Sequence, residues 1–328
     1  MQPKVLIRAD GGPSIGLGHL VRCSALAHML KNNFEIDFYC IEIPKSIEKV
    51  LKENDFGLVK IQNEEQFFCT ISSNHIVVLD GYDFNTSYQL IIKKIGCKLV
   101  CIDDFYDQVF VADLIINHAP GITPENYKAQ TYTQFALGLE YALLRPAFLE
   151  QAQKQRIIEN IESVMICFGG SDYNNLTINT LRSALEFKAF KKIIVVTGAS
   201  YQISDEFKKL LKTDYRIDHR HTLNEKQMLN TMLEAELAIV PSSGILFEAL
   251  AAGCQAISGY YIDNQKSIYN GFKNMNEILG ANNFESLKSI IENLFKRKKF
   301  YAEKAIDGES GLRLLKIFKT YAHNTNIS

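Results

Sequence analysis

The chain of 328 residues exceeds the length over which a single core keeps growing, so two domains are expected. A hydrophobic content of 47% with 22% charged residues is that of a globular protein, and a net charge of −1 argues against a nucleic-acid partner, which needs a basic face. Seven cysteines without a CxxC pair predict reduced thiols and a cytoplasmic location; no signal-peptide pattern and no membrane-spanning apolar run is seen.

Residues 5–8 read as a buried strand running into a loop with Gly11, Gly12, Gly16 and Gly18. That loop opens a helix at about His19, with apolar residues at helical spacing through Leu30. Strands follow at 34–40, 58–61, 75–82, 98–104 and 114–120, with helices over 44–54 and 86–95. Apolar runs without alternation, separated by helical stretches, predict a parallel sheet covered on both faces. At 142–148 the sequence ALLRPAF leads into a polar stretch, QAQKQR, without strand character. The domain boundary is expected near 145–160, giving domains 1–150 and 151–328, with the option that the last helix packs back on the first. The pattern then restarts, with strands at 163–172, 192–198, 215–221, 237–244 and 255–259 alternating with helices. The basic run 296–299 (KRKK) reads as a solvated face. The fold class is therefore α/β, with two facing Rossmann-like domains and an active-site cleft between them.

His19 falls on the first turn of a helix at the carboxyl end of the first strand, where open α/β sheets put their sites. Histidine is also the side chain most easily tuned to act as a base near neutral pH. Neither GxGxxG nor GxxxxGK[ST] is present in that loop. In the second half, CFGGSD (167–172) has the shape of a phosphate-cradling turn: Gly169 and Gly170 offer amides, and Ser171 can cap the helix or donate to a phosphate oxygen. A plain glycine turn with a serine cap would read the same way. PSSGILFEAL (241–250) opens a helix at Ser242, Ser243 and Gly244, a second anion site. Glu248 follows one turn later, either a ribose acceptor or an ordinary surface residue. Asp263, Asn264 and Gln265 combine donors and acceptors suited to a sugar ring. His219 and His221 share a strand face without further ligands, so no metal is expected, and no carboxylate pair is evident.

Together, GLGHLVRC, LDGY, LLRPAF, FGGSDYNN, SSGILFEALAAG and DNQ, in this order and spacing, resemble the PseG/SpsG family from residue 4 to about 270. These are UDP-sugar hydrolases of pseudaminic acid biosynthesis, related in fold to the MurG glycosyltransferases. The resemblance implies a GT-B type architecture and hydrolysis of UDP-2,4-diacetamido-2,4,6-trideoxy-β-L-altropyranose at the anomeric carbon, with inversion. It implies His19 as the base that takes a proton from water, and Tyr82, Asn264, Gln265 and Gly18 at the sugar. Gly169, Gly170, Ser171, Ser243 and Gly244 would hold the diphosphate and Glu248 the ribose. No cofactor or metal is implied, since backbone amides support the phosphates. The partner is the small-molecule UDP-sugar, with neither nucleic acid nor membrane, and the chain is expected to be a monomer. Ordinary glycosides need two carboxyl groups, but a nucleoside diphosphate leaves as a stable anion, so one base and helix N-termini suffice. Two rival readings are a MurG-like glycosyltransferase, with the same base acting on an acceptor hydroxyl, and a non-catalytic nucleotide-sugar binding protein.

Overall fold

The computed structural model describes residues 3–12, 15–170, 172, 175–282, 284, 286–296 and 305–324. It divides into two units, Met1–Pro146 with Glu309–Ser328, and Ala147–Gly308.

The first unit runs β1 (Lys4–Ala9), α1 (Gly18–Leu30), β2 (Glu35–Cys40), α2 (Lys45–Glu53), β3 (Gly57–Lys60), α3 (Glu64–Phe68) and β4 (His75–Asp80). It continues through α4 (Thr86–Ile95), β5 (Lys98–Ile102), β6 (Val109–Phe110), β7 (Leu114–Asn117), β8 (Lys128–Ala129) and β9 (Gln134–Leu137). Seven strands form a parallel sheet in the order β3-β2-β1-β4-β5-β7-β9. Alternate residues serve opposite faces: Val5, Ile7, Ile76 and Val78 pack in one core, Leu6, Val77 and Leu79 in the other. Both faces are therefore covered, which is why the strands read as continuous apolar runs. The chain leaves β1 for β2 and β3 on one side and returns to β4 on the other. A crevice consequently opens at the carboxyl ends of β1 and β4.

The second unit repeats the plan. Past α5 (Pro146–Ala152) come β10 (Ser163–Cys167), α6 (Leu176–Leu185), β11 (Lys192–Thr197), α7 (Asp205–Leu210), β12 (Ile217–His221) and α8 (Glu225–Glu234). Then follow β13 (Leu237–Pro241), α9 (Gly244–Ala251), β14 (Gln255–Gly259), α10 (Lys266–Asn274), β15 (Leu279–Gly280) and α11 (Leu287–Leu294). The parallel order β12-β11-β10-β13-β14-β15 reverses between β10 and β13. Arg156 closes this unit's helix ends: its guanidinium donates to the carbonyls of Met232 and Leu233 in the last turn of α8, of Ala235 just after it, and of Ala252 after α9.

The last helix, α12 (Ser310–Asn324), belongs to the first unit. Leu314, Phe318 and Tyr321, at i, i+4 and i+7, complete the core beside α1. Among the described residues no helix is long and apolar enough to cross a membrane. Of the basic run only Lys296 lies within the described residues. The short α3, β6, β8 and β9 add to the sequence reading; two to five residues are too few to show a period.

Candidate active site

In the first unit the glycine loop closes on itself, Gly12 and Gly16 exchanging backbone hydrogen bonds of 3.1 and 2.7 Å. Gly16 takes φ +83°, a left-handed conformation that favours glycine. The loop delivers α1 with His19 on its first turn and Arg22 three residues on, both on one face. His19 is buried, with Nδ1 2.7 Å from Oδ1 of Asp80, the last residue of β4. Arg22 grips the same carboxylate as a fork, Nε to Oδ2 and Nη2 to Oδ1, each 2.6 Å. Its Nη1 reaches Oδ1 of Asp104 at 2.6 Å, and the Tyr82 hydroxyl donates to Oδ2 of Asp104 at 3.1 Å. The Tyr82 ring stands edge-on to His19 at 4.8 Å between centroids and also edge-on to Phe105 at 5.0 Å.

These contacts fix protonation states. Burial alone would raise the Asp80 carboxyl, but the charges of Arg22 and His19 and their hydrogen bonds hold it well below the usual carboxylate range. Asp104 is likewise buried and held low by Arg22. Nδ1 of His19 has both Asp80 Oδ1 at 2.7 Å and Arg22 Nη2 at 3.3 Å; the ionised carboxylate, which only accepts, is the nearer and assigns the proton to Nδ1, so Nε2 keeps its lone pair. Asp80 thus orients the His19 imidazole and can balance the charge of a protonated ring. Neither carboxylate holds a proton to give, so the pair formed here is no glycosidase acid and base. Nearby His118 is pushed down to about 4, first by burial and then by Arg22, and accepts the Leu143 amide at Nδ1, 3.2 Å away.

The sequence reading singled out Gly18, His19 and Tyr82, and the structure brings His19 and Tyr82 into contact. It did not single out Asp80, Arg22 or Asp104. The available signal was an aspartate ending each of two buried strands, in VVLD and VCIDD.

In the second unit Gly169 and Gly170 follow β10, while Ser171 lies outside the described residues. A Cβ on Gly198 would stand 2.7 Å from the Cα of Gly170, so only glycine lets that loop lie against the end of β11. The start of α6 is taken by Asp172, whose carboxylate accepts the amides of Leu176 and Thr177 at 2.9 and 2.8 Å. A carboxylate there competes with a phosphate for the amides at the start of α6.

After β13, Ser242 corrects the sequence reading. It is fully buried with its hydroxyl 2.8 Å from that of Ser258, which takes it out of the proposed anion site. Ser243 precedes α9 without a side-chain capping bond, and no described atom lies within 4 Å of a Cβ placed on Gly244. Glu248 is buried on α9, 6% exposed, which rules out the ordinary surface residue. Asn264 and Gln265 sit in the turn Asp263–Gln265. Gln265 spends its Oε1 on the Tyr261 amide at 3.1 Å, so that oxygen is committed to its own turn. His219 and His221 both meet the Thr197 hydroxyl at 2.9 Å.

No protein-family profile matches the chain. Over 282 residues it is 27% identical to an uncharacterized protein of Methanocaldococcus jannaschii, covering 82% of this chain and 58% of that protein. The chain therefore spans little more than half of that relative's length. It is 24% identical over 269 residues to the spore coat polysaccharide biosynthesis protein SpsG of Bacillus subtilis, covering 79% and 78% of the two chains. Among solved structures it resembles MurG of Acinetobacter baumannii with a TM-score of 0.63 at 12% identity, over 97% of this chain and 99% of that one. It resembles the UDP-GlcNAc 2-epimerase of M. jannaschii with a TM-score of 0.59 at 13% identity, again over 97% and 99%. The chain shares their GT-B fold. A fold hosts many chemistries, so the activity has to be argued from the side chains.

Proposed function

We propose that the protein hydrolyses a UDP-sugar at the anomeric carbon with inversion, His19 acting as the base. The substrate class we infer is UDP-2,4-diacetamido-2,4,6-trideoxy-β-L-altropyranose, in pseudaminic (nonulosonic) acid biosynthesis. The observation that carries this reading is the contact of His19 Nδ1 with Asp80, which leaves Nε2 as an acceptor. Nε2 takes a proton from water, the water oxygen bonds to C1, and the C1–O bond breaks with its electron pair leaving on UDP. Asp80 balances the imidazolium so formed. Tyr82, beside the base, is the candidate contact for the sugar, joined by Gly18, Asn264 and Gln265. For the nucleotide, Gly169, Gly170, Ser171, Ser243 and Gly244 would hold the diphosphate, and Glu248 would accept the ribose hydroxyls. The names of the relatives are consistent with a nucleotide-sugar substrate: one is a polysaccharide biosynthesis protein, another a UDP-GlcNAc epimerase, and a further solved neighbour is a complex of MnaA with UDP. The protein is read as acting alone on a small molecule in the cytoplasm.

The likeness to MurG supports a second reading, in which the same base deprotonates an acceptor hydroxyl instead of water. One experiment separates the two. Incubated with the UDP-sugar alone in ¹⁸O-water, the protein should release UDP and an inverted free sugar carrying the label. Cleavage that requires an added acceptor would give the case to the transferase. Label in UDP would mean attack at phosphorus and would end both readings.

A further inference from the structure

Arg22 stands between two buried carboxylates, forked on Asp80 and bonded through Nη1 to Asp104. With His19 neutral, one guanidinium and two carboxylates leave a formal charge of −1; when His19 takes a proton the sum is zero. If Asp104 were uncharged, Asp80 and Arg22 would cancel, and the imidazolium would be an unbalanced charge in a buried place. Asp103, next to Asp104 in the chain, is a further carboxyl near this cluster, raised by burial first; its Oδ2 accepts from the Tyr127 hydroxyl and the amides of Phe105 and Tyr106, and Asp104→Asn leaves it in place. The Cys23 thiol, 3.4 Å from Asp80 Oδ2, is pushed well up, by burial first and then by Asp80, and stays neutral. His118 is neutral for the reason given above, and the Tyr82 phenol serves as a donor to Asp104.

We propose that Asp104 is a positioning residue for the base: acting through Arg22, it leaves the site one net negative charge that favours proton uptake at His19 Nε2, and it orients Tyr82 against His19. The inference rests on the reading of His19 as the base. Its test, however, needs no substrate. In the full-length protein the His19 ring signals, assigned by their loss in His19→Asn, are followed by NMR against pH. Asp104→Asn should move the His19 midpoint to lower pH, while Tyr82→Phe, which keeps the Asp104 charge, should leave it in place. With a UDP-sugar that is turned over, Asp104→Asn should lower kcat about tenfold, the acid limb of the rate profile moving with the midpoint. An unmoved or raised midpoint in Asp104→Asn, or an equal shift in Tyr82→Phe, overturns the proposal. Should Asp104→Asn fail to fold, Asp104→Ser carries the same test: it also removes the charge, so the midpoint must fall, and no fall overturns the proposal. A midpoint that moves as expected in a protein that turns over no UDP-sugar would support this electrostatic role and remove the hydrolase reading.

Discussion

In the hydrolysis proposed above, Asp80 decides which nitrogen of His19 acts. An ionised carboxylate keeps the proton on Nδ1; an amide in its place can donate to Nδ1 and drive the proton to Nε2, where it blocks the base. Asp80→Asn should therefore lower kcat by about 10² to 10⁴ while UDP binding, measured by calorimetry, stays within a few-fold. Retention of most activity would remove Asp80, and with it the orienting role, from the mechanism. The buried His118 ring links stability to pH. Its ordinary value of 6.5 falls to about 4 in the folded protein, so the unfolded chain binds the proton more tightly between those limits. The contribution of the neutral ring to stability is complete above about 6.5 and is lost as pH falls towards 4, about 3 kcal/mol in all. Asparagine can still accept the Leu143 amide, so His118→Asn should flatten the fall of stability over that range in urea titrations. An unchanged slope would assign the acid sensitivity to other groups.

Among the elements, those legible in the sequence are the ones whose pattern is strong over their full length. The runs around Val77 and Ile194, four apolar residues each, are buried on both faces of a parallel sheet and so show no alternation. The strand-to-helix glycine turn located His19 for the same reason: it is a local feature, set by neighbours in sequence. Asp80 and Asp104 were not legible as site residues because their partners are 58 and 82 residues away, on α1. The reversal of strand order between β1 and β4 brings Asp80 against His19, and Asp104 within reach of Arg22. Ser242 shows the converse. In sequence it is indistinguishable from Ser243, yet Ser258, on the neighbouring strand, takes its hydroxyl into the core. Glu248 differs again, since its burial depends on which face of α9 packs inward, and the helix is apolar nearly all round, as GILFEALA shows. Asp172, the last residue of CFGGSD, is another such case. A side chain four residues ahead of a helix can occupy its first amides before any ligand does, and that limits what a glycine turn by itself can say about phosphate.

At the scale of the whole molecule, the first unit is not continuous in sequence. Its core is finished by α12, which is made after the entire second unit. Phe318 packs edge-on to Phe34 at 6.1 Å, Leu314 is fully buried, and the Tyr321 hydroxyl donates to the Asp113 carbonyl at 3.2 Å. The Ser310 hydroxyl donates to the Ala142 carbonyl at 2.7 Å. Burying Leu, Phe and Tyr side chains contributes about 1.5–3 kcal/mol each, so losing the helix removes a large part of the roughly 5–15 kcal/mol that holds a domain folded. A chain ended after Gly308 should therefore lose hydrogen-exchange protection in β1, β2 and α1, while β10, β11 and β13 keep theirs, because Arg156 and the second core are untouched. Phe318→Ala, a milder change, should destabilise the first unit by about 3–5 kcal/mol and leave the second alone. If the shortened chain kept full protection in β1 and α1, α12 would be an accessory rather than a part of that core. If both units lost protection together, the two would be one cooperative body in folding, whatever their separate cores.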